Sequence, residues 1–304
     1  MTAHDQPRFT ARHLLALMLV SFLAWPQGAA AQGDFYDYCS ILDEPPEVMW
    51  QLGGGYSFRT GNSAEGWKDM GVFELYGIGG LAFIETVQGG DFNIEVHADS
   101  RILQGFDGST SGYPLNRLAL FVEYTHRFDY GWGLRVDAAP GLYSDFQDLR
   151  GKDLSFPFGL SVVRAMHEEL SFLIGASIYP GFKRAADPRL GFRWAPYGGE
   201  TFRIDLMYPE SLLTVEFQPG LGIHAGARFL PWPEYQLKKD DARDRLRFQE
   251  NRVYAGFHAH AGEYGRWSVD IGYMFNREIH FRREEPGVRL DDTPYLGISY
   301  TSLF

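Results

Sequence analysis

A run of sixteen residues near the carboxyl end of the chain alternates between two kinds of side chain. From Trp267 to Arg282, seven of the eight odd positions are apolar, and Met274 is the only large apolar residue at an even position. Side chains alternate between the two faces of a β-strand, whereas a helix would scatter them around its circumference. The run therefore predicts a strand with one apolar face. It is also much longer than the ~5–6 residues usual for soluble strands.

The same alternation recurs along the chain, with ionisable residues in mid-strand between apolar neighbours. We predict about 14 strands, with 12 as the alternative count. In a soluble sandwich the charged face would meet water, and in a closed barrel it would line the lumen, so periodicity alone leaves both open. The predicted ranges are 48–58, 71–87, 91–103, 116–128, 132–146, 153–165, 169–181, 188–196, 200–208, 211–218, 221–237, 249–262, 266–281 and 293–304.

The connections between these strands favour the barrel. They alternate in length, with long joints such as 59–70 and 104–115 and short ones such as 88–90 and 129–131; the tight joint at Pro209 is the exception. Long loops on one rim and short turns on the other are typical of transmembrane barrels. Aromatic pairs flank three short turns, as an interfacial girdle would. We therefore predict an all-β fold, a closed antiparallel up-and-down transmembrane β-barrel. The aromatic pairs are Tyr130 and Trp132, Trp194 and Tyr197, and Tyr264 and Trp267.

The amino-terminal segment has the three regions of a secretory signal peptide. Arg8 and Arg12 precede an apolar stretch over residues 14–25, Pro26 follows, and residues 29–31 are alanines. An apolar stretch of about a dozen residues is too short to cross a bilayer as a helix. We predict a cleaved signal peptide over residues 1–31, a leader over 32–47 that is either periplasmic or tucked into the lumen, and an outer-membrane barrel over 48–304.

Charge and cysteine content exclude two other classes of protein. Without the signal peptide the chain keeps 26 basic and 38 acidic residues, which makes nucleic acid an improbable partner. Cys39 is the single cysteine, so an intramolecular disulfide framework is excluded.

The last strand carries a resemblance to a known family. Ile298, Tyr300 and Phe304 lie on one apolar face of a strand that ends the chain, although Ser302 departs from the usual pattern. This strand resembles the carboxyl-terminal assembly signal of Gram-negative outer-membrane β-barrel proteins. The resemblance implies an outer-membrane location, contact with its lipids, and recognition by the barrel assembly machinery; it leaves the oligomeric state open. Residues 48–304 as a whole resemble the uncharacterised single-barrel families (domains of unknown function) of environmental Gram-negative bacteria, which offer no catalytic residues to transfer.

The inward faces of the predicted strands supply the candidate functional residues. These side chains are either a structural lattice of ion pairs or a solute-selective lining, and both remain open. Three of the histidines come from neighbouring strands and could build a metal site, but a polar lining is the simpler interpretation, so we expect no metal and no cofactor. The lumen-lining candidates are Glu95, His97, Glu123, Arg135, Asp137, Arg193, Arg203, Asp205, Glu216, His224, Arg228, His258, His260 and Asp270.

A barrel of about 14 strands is wide enough to leave an open lumen, so the leading hypothesis is a passive pore for small solutes. The alternative is a structural or envelope-interaction barrel with a filled lumen. An outer-membrane lipid hydrolase is a third hypothesis, but it needs a Ser–His pair near the outer rim that the sequence does not supply, so we predict no enzyme activity. The charged stretch from Lys238 to Phe248 is expected to be a solvated extracellular loop.

Overall fold

The computed structural model describes residues 49–303, except 64–68, 87–89, 106–111, 148, 182–184, 197–200, 240–241, 261–264 and 282–286. The predicted signal peptide, the leader and Phe304 lie outside this part of the chain. Within it, no helix is both long and apolar enough to cross a membrane.

Seventeen strand segments make up the described part of the fold, and each of the 14 predicted strands overlaps one or two of them. The first half of the chain contains β1 (Met49–Thr60), β2 (Met70–Glu85), β3 (Gly90–Gln104), β4 (Tyr113–Phe128), β5 (Trp132–Ala138), β6 (Gly141–Ser144), β7 (Leu154–Ser155), β8 (Phe158–His167) and β9 (Leu170–Ile178). The second half contains β10 (Ala186–Trp194), β11 (Phe202–Tyr208), β12 (Glu210–Gln218), β13 (Leu221–Lys239), β14 (Ala242–His260), β15 (Gly265–Phe281), β16 (Val288–Leu290) and β17 (Thr293–Leu303).

The sheet closes on itself as an antiparallel barrel of 14 strands. Each wall strand pairs with its neighbours in sequence, and β1 closes the circle by pairing with β17 on one side and β2 on the other. Three wall strands are interrupted, so that β5 continues as β6, β7 as β8, and β16 as β17. Closure pairs the backbone groups of every wall strand, which is the condition for a sheet in lipid.

The outside of the wall is apolar. On β15, Trp267, Val269, Ile271 and Tyr273 point outward, and Ile271 is 66% exposed. Further large apolar side chains are exposed on β4, β8, β9, β11 and β14, while Asp205 of β11 and Arg252 of β14 are buried inside the barrel. Exposure of this much apolar surface in a single chain is the pattern of a lipid-facing belt. We call this surface the outer belt.

The apolar face predicted for 267–281 is wrong beyond residue 275. Arg277, Ile279 and Phe281 are buried inside the barrel, and Arg277 is only 2% exposed. The cause is a β-bulge, in which Asn276 and Arg277 together oppose the single residue Glu250 of β14. One extra residue in a strand sends every following side chain to the other face. The Arg277 guanidinium then donates hydrogen bonds to the Ser57 hydroxyl at 3.2 Å and to the Asp291 carbonyl at 3.0 Å.

The bulge requires a left-handed backbone conformation at Asn276, and this requirement can be tested. Its φ of 50° lies in the left-handed region, which asparagine tolerates and β-branched residues do not. Asn276→Val is expected to lower the free energy of unfolding by about 1–2 kcal/mol, because the left-handed conformation costs that much for such a residue. Asn276→Gly is the matched control and should leave stability nearly unchanged. Urea unfolding of the refolded barrel measures both, and equal stability of the Val and Gly variants would contradict the bulge.

The wall is uneven in height. The strands β2 to β4 and β13 to β15 have 15–19 residues, whereas β8 to β12 have 7–10. The long strands extend past the short ones at the end of the barrel where the long connections lie. The longest pair, β13 and β14, supplies the segment that closes that end.

Candidate functional site

The barrel contains a cavity of about 570 Å³ lined by residues of β1 to β4, β11 to β15 and β17. At one end it reaches Pro219, Gly220 and His260, beside a short turn. At the other end it reaches Glu74 and Arg101, deeper in the barrel. Its lining has six carboxylates and six guanidiniums, so the cavity is polar and carries opposed charges in equal number when its histidines are neutral.

Two tyrosines of the lining lie over glycines of the neighbouring strand. A Cβ on Gly53 would come within 2.8 Å of the Tyr76 ring, and a Cβ on Gly55 within 2.8 Å of the Tyr295 ring. The missing side chains on β1 therefore let both rings lie flat against the wall. Their planar packing keeps the space between the walls free.

An ion-pair layer closes the deep end of the cavity. Glu74 forms an ion pair with Arg101 at 3.1 Å and accepts from Arg252 at 2.9 Å, and Arg252 also donates to Glu250 at 2.8 Å. The Arg252 guanidinium lies 3.9 Å from the centroid of the Tyr295 ring, as a cation–π contact. We call Glu74, Arg101, Glu250 and Arg252 the central layer. The four side chains come from three strands and balance two positive charges with two negative ones.

Beyond the central layer the long-loop end is filled by apolar side chains. The cluster joins residues from the ends of β2, β3 and β4 and from β6 to others from β13 to β16, and all are almost fully buried. Its members are Met70, Val72, Leu103, Leu115, Tyr143, Tyr235, Leu237, Leu246, Phe248, Ile279, Phe281 and Leu290. The interior of the barrel at this end is therefore a hydrophobic core and not a channel.

The ends of β13 and β14 supply part of this core by crossing the mouth of the barrel. Beyond the pair Pro231↔Gln249 the two strands continue together as an extension over 232–239 and 242–248, which we call the cap hairpin. Gln236 pairs in parallel with Ser144 of β6, on the far side of the wall, where the Asp145 amide donates to the Gln236 carbonyl at 3.2 Å. Only a hairpin that folds inward over the lumen can make this contact.

The cap hairpin corrects the prediction of a solvated loop from Lys238 to Phe248. The described residues of that stretch continue β13 and β14, and Leu246 and Phe248 are fully buried in the apolar cluster. From Arg245 to Phe248 charged and apolar residues alternate, so the strand presents Leu246 and Phe248 to the barrel interior. The charged composition of residues 238–248 predicts a solvated loop. The alternation of side chains along the stretch, with a period of two residues, indicates a strand instead.

The opposite half of the lumen is filled by a lattice of ion pairs. Asp137 accepts from Arg189 and lies 3.8 Å from the Arg135 guanidinium as an ion pair, and Arg135 also pairs with Glu123. The Nε of Arg189 donates to the Ser177 hydroxyl at 2.7 Å. All four charged groups are buried, so each needs the others to offset its loss of hydration. This half of the lumen is a structural element.

The predicted lumen-lining residues fall into two groups. Eight line the cavity: Arg203, Asp205, Glu216, His224, Arg228, His258, His260 and Asp270. Six lie in or near the filled half: Glu95, His97, Glu123, Arg135, Asp137 and Arg193. Asp205 joins the two groups, because it accepts from Arg193 at 2.7 Å and forms an ion pair with Arg203 at 3.0 Å.

The prediction omitted several residues that line the cavity or form the central layer. Glu74, Arg101, Arg252 and Tyr295 are at alternate positions of their strands, in phase with the other inward residues. Counting every polar residue on an inward face would have found them. A count of inward polar residues does not show that the Glu74 carboxylate contacts guanidiniums from two different strands, those of Arg101 and Arg252.

The three histidines considered for a metal site, His224, His258 and His260, are not clustered in the structure. His224 and His258 are in contact, with 3.3 Å between their Nδ1 atoms, and each has a carboxylate on its other nitrogen. His260 lies at the short-turn end of the cavity. In the described part of the chain no group of three or more His, Cys, Asp or Glu residues is arranged to hold a metal ion. His97 lies elsewhere, stacked on Phe121 and bonded to Glu95 at 2.6 Å.

Ser211, at the tight joint between β11 and β12, has a structural role. The Ser211 hydroxyl donates to the Met207 carbonyl at 2.8 Å and accepts from the Met207 amide at 3.1 Å. It thus stabilises the tight turn at Pro209, which was the exception in the pattern of connections. A nucleophilic serine instead needs its hydroxyl directed at a base.

The carboxyl-terminal strand β17 closes the barrel. On β17, Ile298 is exposed on the outer belt, and the Tyr300 ring packs on Trp267 with 4.8 Å between centroids. The strand pairs with β15 on one side and β1 on the other, so it joins the last part of the wall to the first. Its role as an assembly signal stays a prediction, since Phe304 is outside the described residues.

The chain was compared with known families, curated proteins and solved structures. No family model and no curated protein matches it, so its assignment to an uncharacterised single-barrel family stays a prediction. Among solved structures, an outer-membrane channel from Pseudomonas putida F1 has a TM-score of 0.49 and 15% identity, covering 90% of this chain and 100% of that one.

Two further solved structures show a weaker likeness. The toluene transporter TodX of P. putida has a TM-score of 0.34 and 8% identity, with 90% of this chain and 96% of that chain covered. The KdgM porin has a TM-score of 0.36 and 9% identity, with 84% and 99% covered. Similarity at this level does not determine a function, which must come from the site itself.

Proposed function

We propose that the protein is an outer-membrane channel for the passive diffusion of small polar solutes, held here in a closed conformation. The observation that carries the proposal is the polar cavity of about 570 Å³ inside a closed barrel with an apolar outside. A barrel that only needed a stable interior would fill this space with side chains, as the opposite half of the same lumen does. Opposed charges in equal number suit solutes of either sign or none.

The outer belt supports the location in the outer membrane. Trp132, Trp194 and Trp267 are exposed beside short turns, where interfacial aromatic residues are expected. In this orientation the short turns face the periplasm, the cavity opens toward it, and the cap hairpin covers the extracellular mouth. Export by a cleaved signal peptide and assembly by the barrel machinery belong to the same proposal.

Conductance of the refolded full-length chain in a planar bilayer tests the channel. We expect discrete steps from the wild type and larger steps from a variant without the cap hairpin. Migration on a gel with and without heating is the control for folding, because a closed barrel migrates differently before it is heated. If both proteins migrate as folded barrels and both are silent, the channel proposal is wrong.

The second candidate function is a structural barrel with a filled lumen. The ion-pair lattice around Asp137 and the apolar cluster beneath the cap hairpin favour it, because together they block part of the lumen at each level. The two candidates differ in whether the cavity is on a route across the membrane. Silence of the variant without the cap hairpin would favour the structural barrel.

A further inference from the structure

Four side chains on the cavity wall form one continuous chain of hydrogen bonds. Asp270 Oδ1 is 2.7 Å from His224 Nε2, and Glu216 Oε1 is 2.8 Å from His258 Nε2. Between the rings, the two Nδ1 atoms are 3.3 Å apart. The order is therefore carboxylate, imidazole, imidazole, carboxylate, with one residue each from β15, β13, β14 and β12.

The wall is shaped to hold both rings. His224 is paired in the β13–β14 ladder with Gly256, and His258 with Gly222. A Cβ on Gly256 would lie 2.6 Å from His224 Cε1, and a Cβ on Gly222 would lie 2.8 Å from His258 Nε2. Any other residue at either glycine would displace a ring. His258 is only 1% exposed, so this position is fixed from all sides.

The two rings face each other along a straight line. Their centroids are 5.6 Å apart with an angle of 24° between the planes, while the Nδ1 atoms are 3.3 Å apart. The difference is about twice the distance from a ring atom to its centroid, so both nitrogens lie close to the line joining the centroids. A Zn²⁺ ion needs about 2.0–2.1 Å to each nitrogen and does not fit on this line. A hydrogen atom does fit there.

The number of protons follows from the number of bonds. Three hydrogen bonds need three protons, wherever each one is located. Two neutral imidazoles between two ionised carboxylates supply only two, because a neutral imidazole has one N–H and an ionised carboxylate has none. With both N–H groups directed at the carboxylates, two lone pairs would oppose each other in the middle of the chain, which is unfavourable for groups out of contact with water.

We infer that Glu216, His258, His224 and Asp270 together bind one proton more than two neutral histidines would carry, and that this proton sets the charge of the cavity. The four groups then carry a net charge of −1 instead of −2. Because the rest of the lining has six guanidiniums and four carboxylates, a charge of +2, the whole cavity changes from neutral to +1 when the proton binds. The proton count does not depend on the proposed channel; the effect on ion selectivity rests on it.

Other charged groups face the same space from the surrounding strands. They are Arg203 and Asp205 on β11, Glu210 on β12, Arg228 on β13, His260 on β14 and Arg266 on β15. Glu210 accepts from Arg228 at 2.9 Å and from the Tyr254 hydroxyl at 3.0 Å, both at Oε1. The phenols of Tyr76 and Tyr295 complete the lining from β2 and β17. His260 is the group whose own titration must be separated from that of the four-residue chain.

Asp270→Asn is the decisive variant. An amide is nearly the same shape as a carboxylate but can donate a hydrogen bond to His224 Nε2. His224 would then carry its proton on Nδ1 and donate it to His258, whose Nε2 proton goes to Glu216. All three bonds would be made with two neutral imidazoles, so the variant needs no additional proton. Glu216→Gln acts in the same way from the other end of the chain and serves as the second variant.

Nitrogen NMR of histidine-labelled, refolded full-length protein at pH 7 counts these protons directly. In the wild type we expect three protonated positions among the four ring nitrogens of His224 and His258, or two with the third proton on a carboxylate that is shared with its imidazole. In Asp270→Asn we expect two, with no shared carboxylate proton. His260→Gln is the matched control and should leave the spectra of both rings unchanged. Two unprotonated Nδ1 atoms in the wild type, with both carboxylates ionised, would overturn the inference.

Ion selectivity, measured as the reversal potential in a salt gradient, is the second readout. Wild type and Asp270→Asn should have the same reversal potential at pH 7, because each cavity then carries a charge of +1. As the pH is raised, the wild type should lose anion preference while Asp270→Asn, in a His260→Gln background, keeps it. A variant that is already more anion-selective than the wild type at pH 7 would contradict the bound proton. A silent channel would reject the channel proposal and leave the NMR result standing.

Discussion

Removal of the cap hairpin is expected to convert small or rare conductance steps into large, persistent ones. The variant joins Pro231 to Gln249 by a two-residue Asn-Gly turn, which suits these directly paired residues. Tyr235, Leu237, Leu246 and Phe248 leave with the hairpin, and the apolar cluster loses its central members. Water can then reach the cavity from the long-loop end, in a barrel whose strand number leaves an interior wider than its side chains fill. Single-channel recording measures the change.

A reversible tether provides the matched control for this deletion. Ser144 and Gln236 are paired across the mouth, so Ser144→Cys with Gln236→Cys places two thiols on adjacent strands within reach of a disulfide. Cys39→Ser removes the native thiol, the only one in the chain. Oxidation should suppress conductance and reduction should restore it. Equal conductance in the oxidised, reduced and hairpin-deleted proteins would show that the cap hairpin does not control the mouth.

Glu74→Gln is expected to be the most destabilising single substitution in the barrel interior. The carboxylate holds Arg101 and Arg252, and both guanidiniums are buried. Removing one member of a buried ion pair leaves an uncompensated charge and costs about 3–5 kcal/mol, mostly because the remaining charge cannot recover its hydration. Arg252 keeps Glu250 as a partner, which limits its share of the loss. Urea unfolding in lipid vesicles measures the free energy.

The control for this prediction is a similar pair in a wetter position. Glu278 lies 3.1 Å from His280 near the rim, and each side chain keeps more than a quarter of its exposure to solvent. Glu278→Gln should cost under about 1 kcal/mol, because exposed pairs contribute little. If the two substitutions have equal effects, the central layer does not act as a buried ion-pair network. A further variant with apolar residues at Glu74 and Arg101 should recover part of the lost stability.

Much of the fold was predictable because side chains alternate between the two faces of a strand, so that the local sequence shows which face is apolar. Residues such as Ile271 and Asp270 are neighbours in sequence with opposite environments, and the alternation identifies both without any tertiary information. The prediction failed at Asn276, where one additional residue reverses the faces. Asparagine is common in many positions, so nothing in the local sequence distinguishes a bulge from a regular strand.

The candidate site was predictable only as a set of residues. Inward positions indicated that His224, His258 and Asp270 face the lumen, but the distances between them depend on the register of four strands. The glycines opposite both histidines contribute as much as the ring nitrogens do, and a glycine in a strand has many possible roles. The proton count therefore required the structure.

The sequence by itself determined the strands of the barrel, their order, the apolar outer face and the charged inner face. Each of these is a property of a short stretch of chain. Only the tertiary structure decided which part of the lumen is filled, which part is open, and that the cap hairpin folds inward. The physical reason is that these outcomes depend on contacts between distant segments, such as Tyr143 with Tyr235 across the mouth. The alternation of side chains along a strand shows which face each side chain is on, but it does not show which residues that side chain contacts.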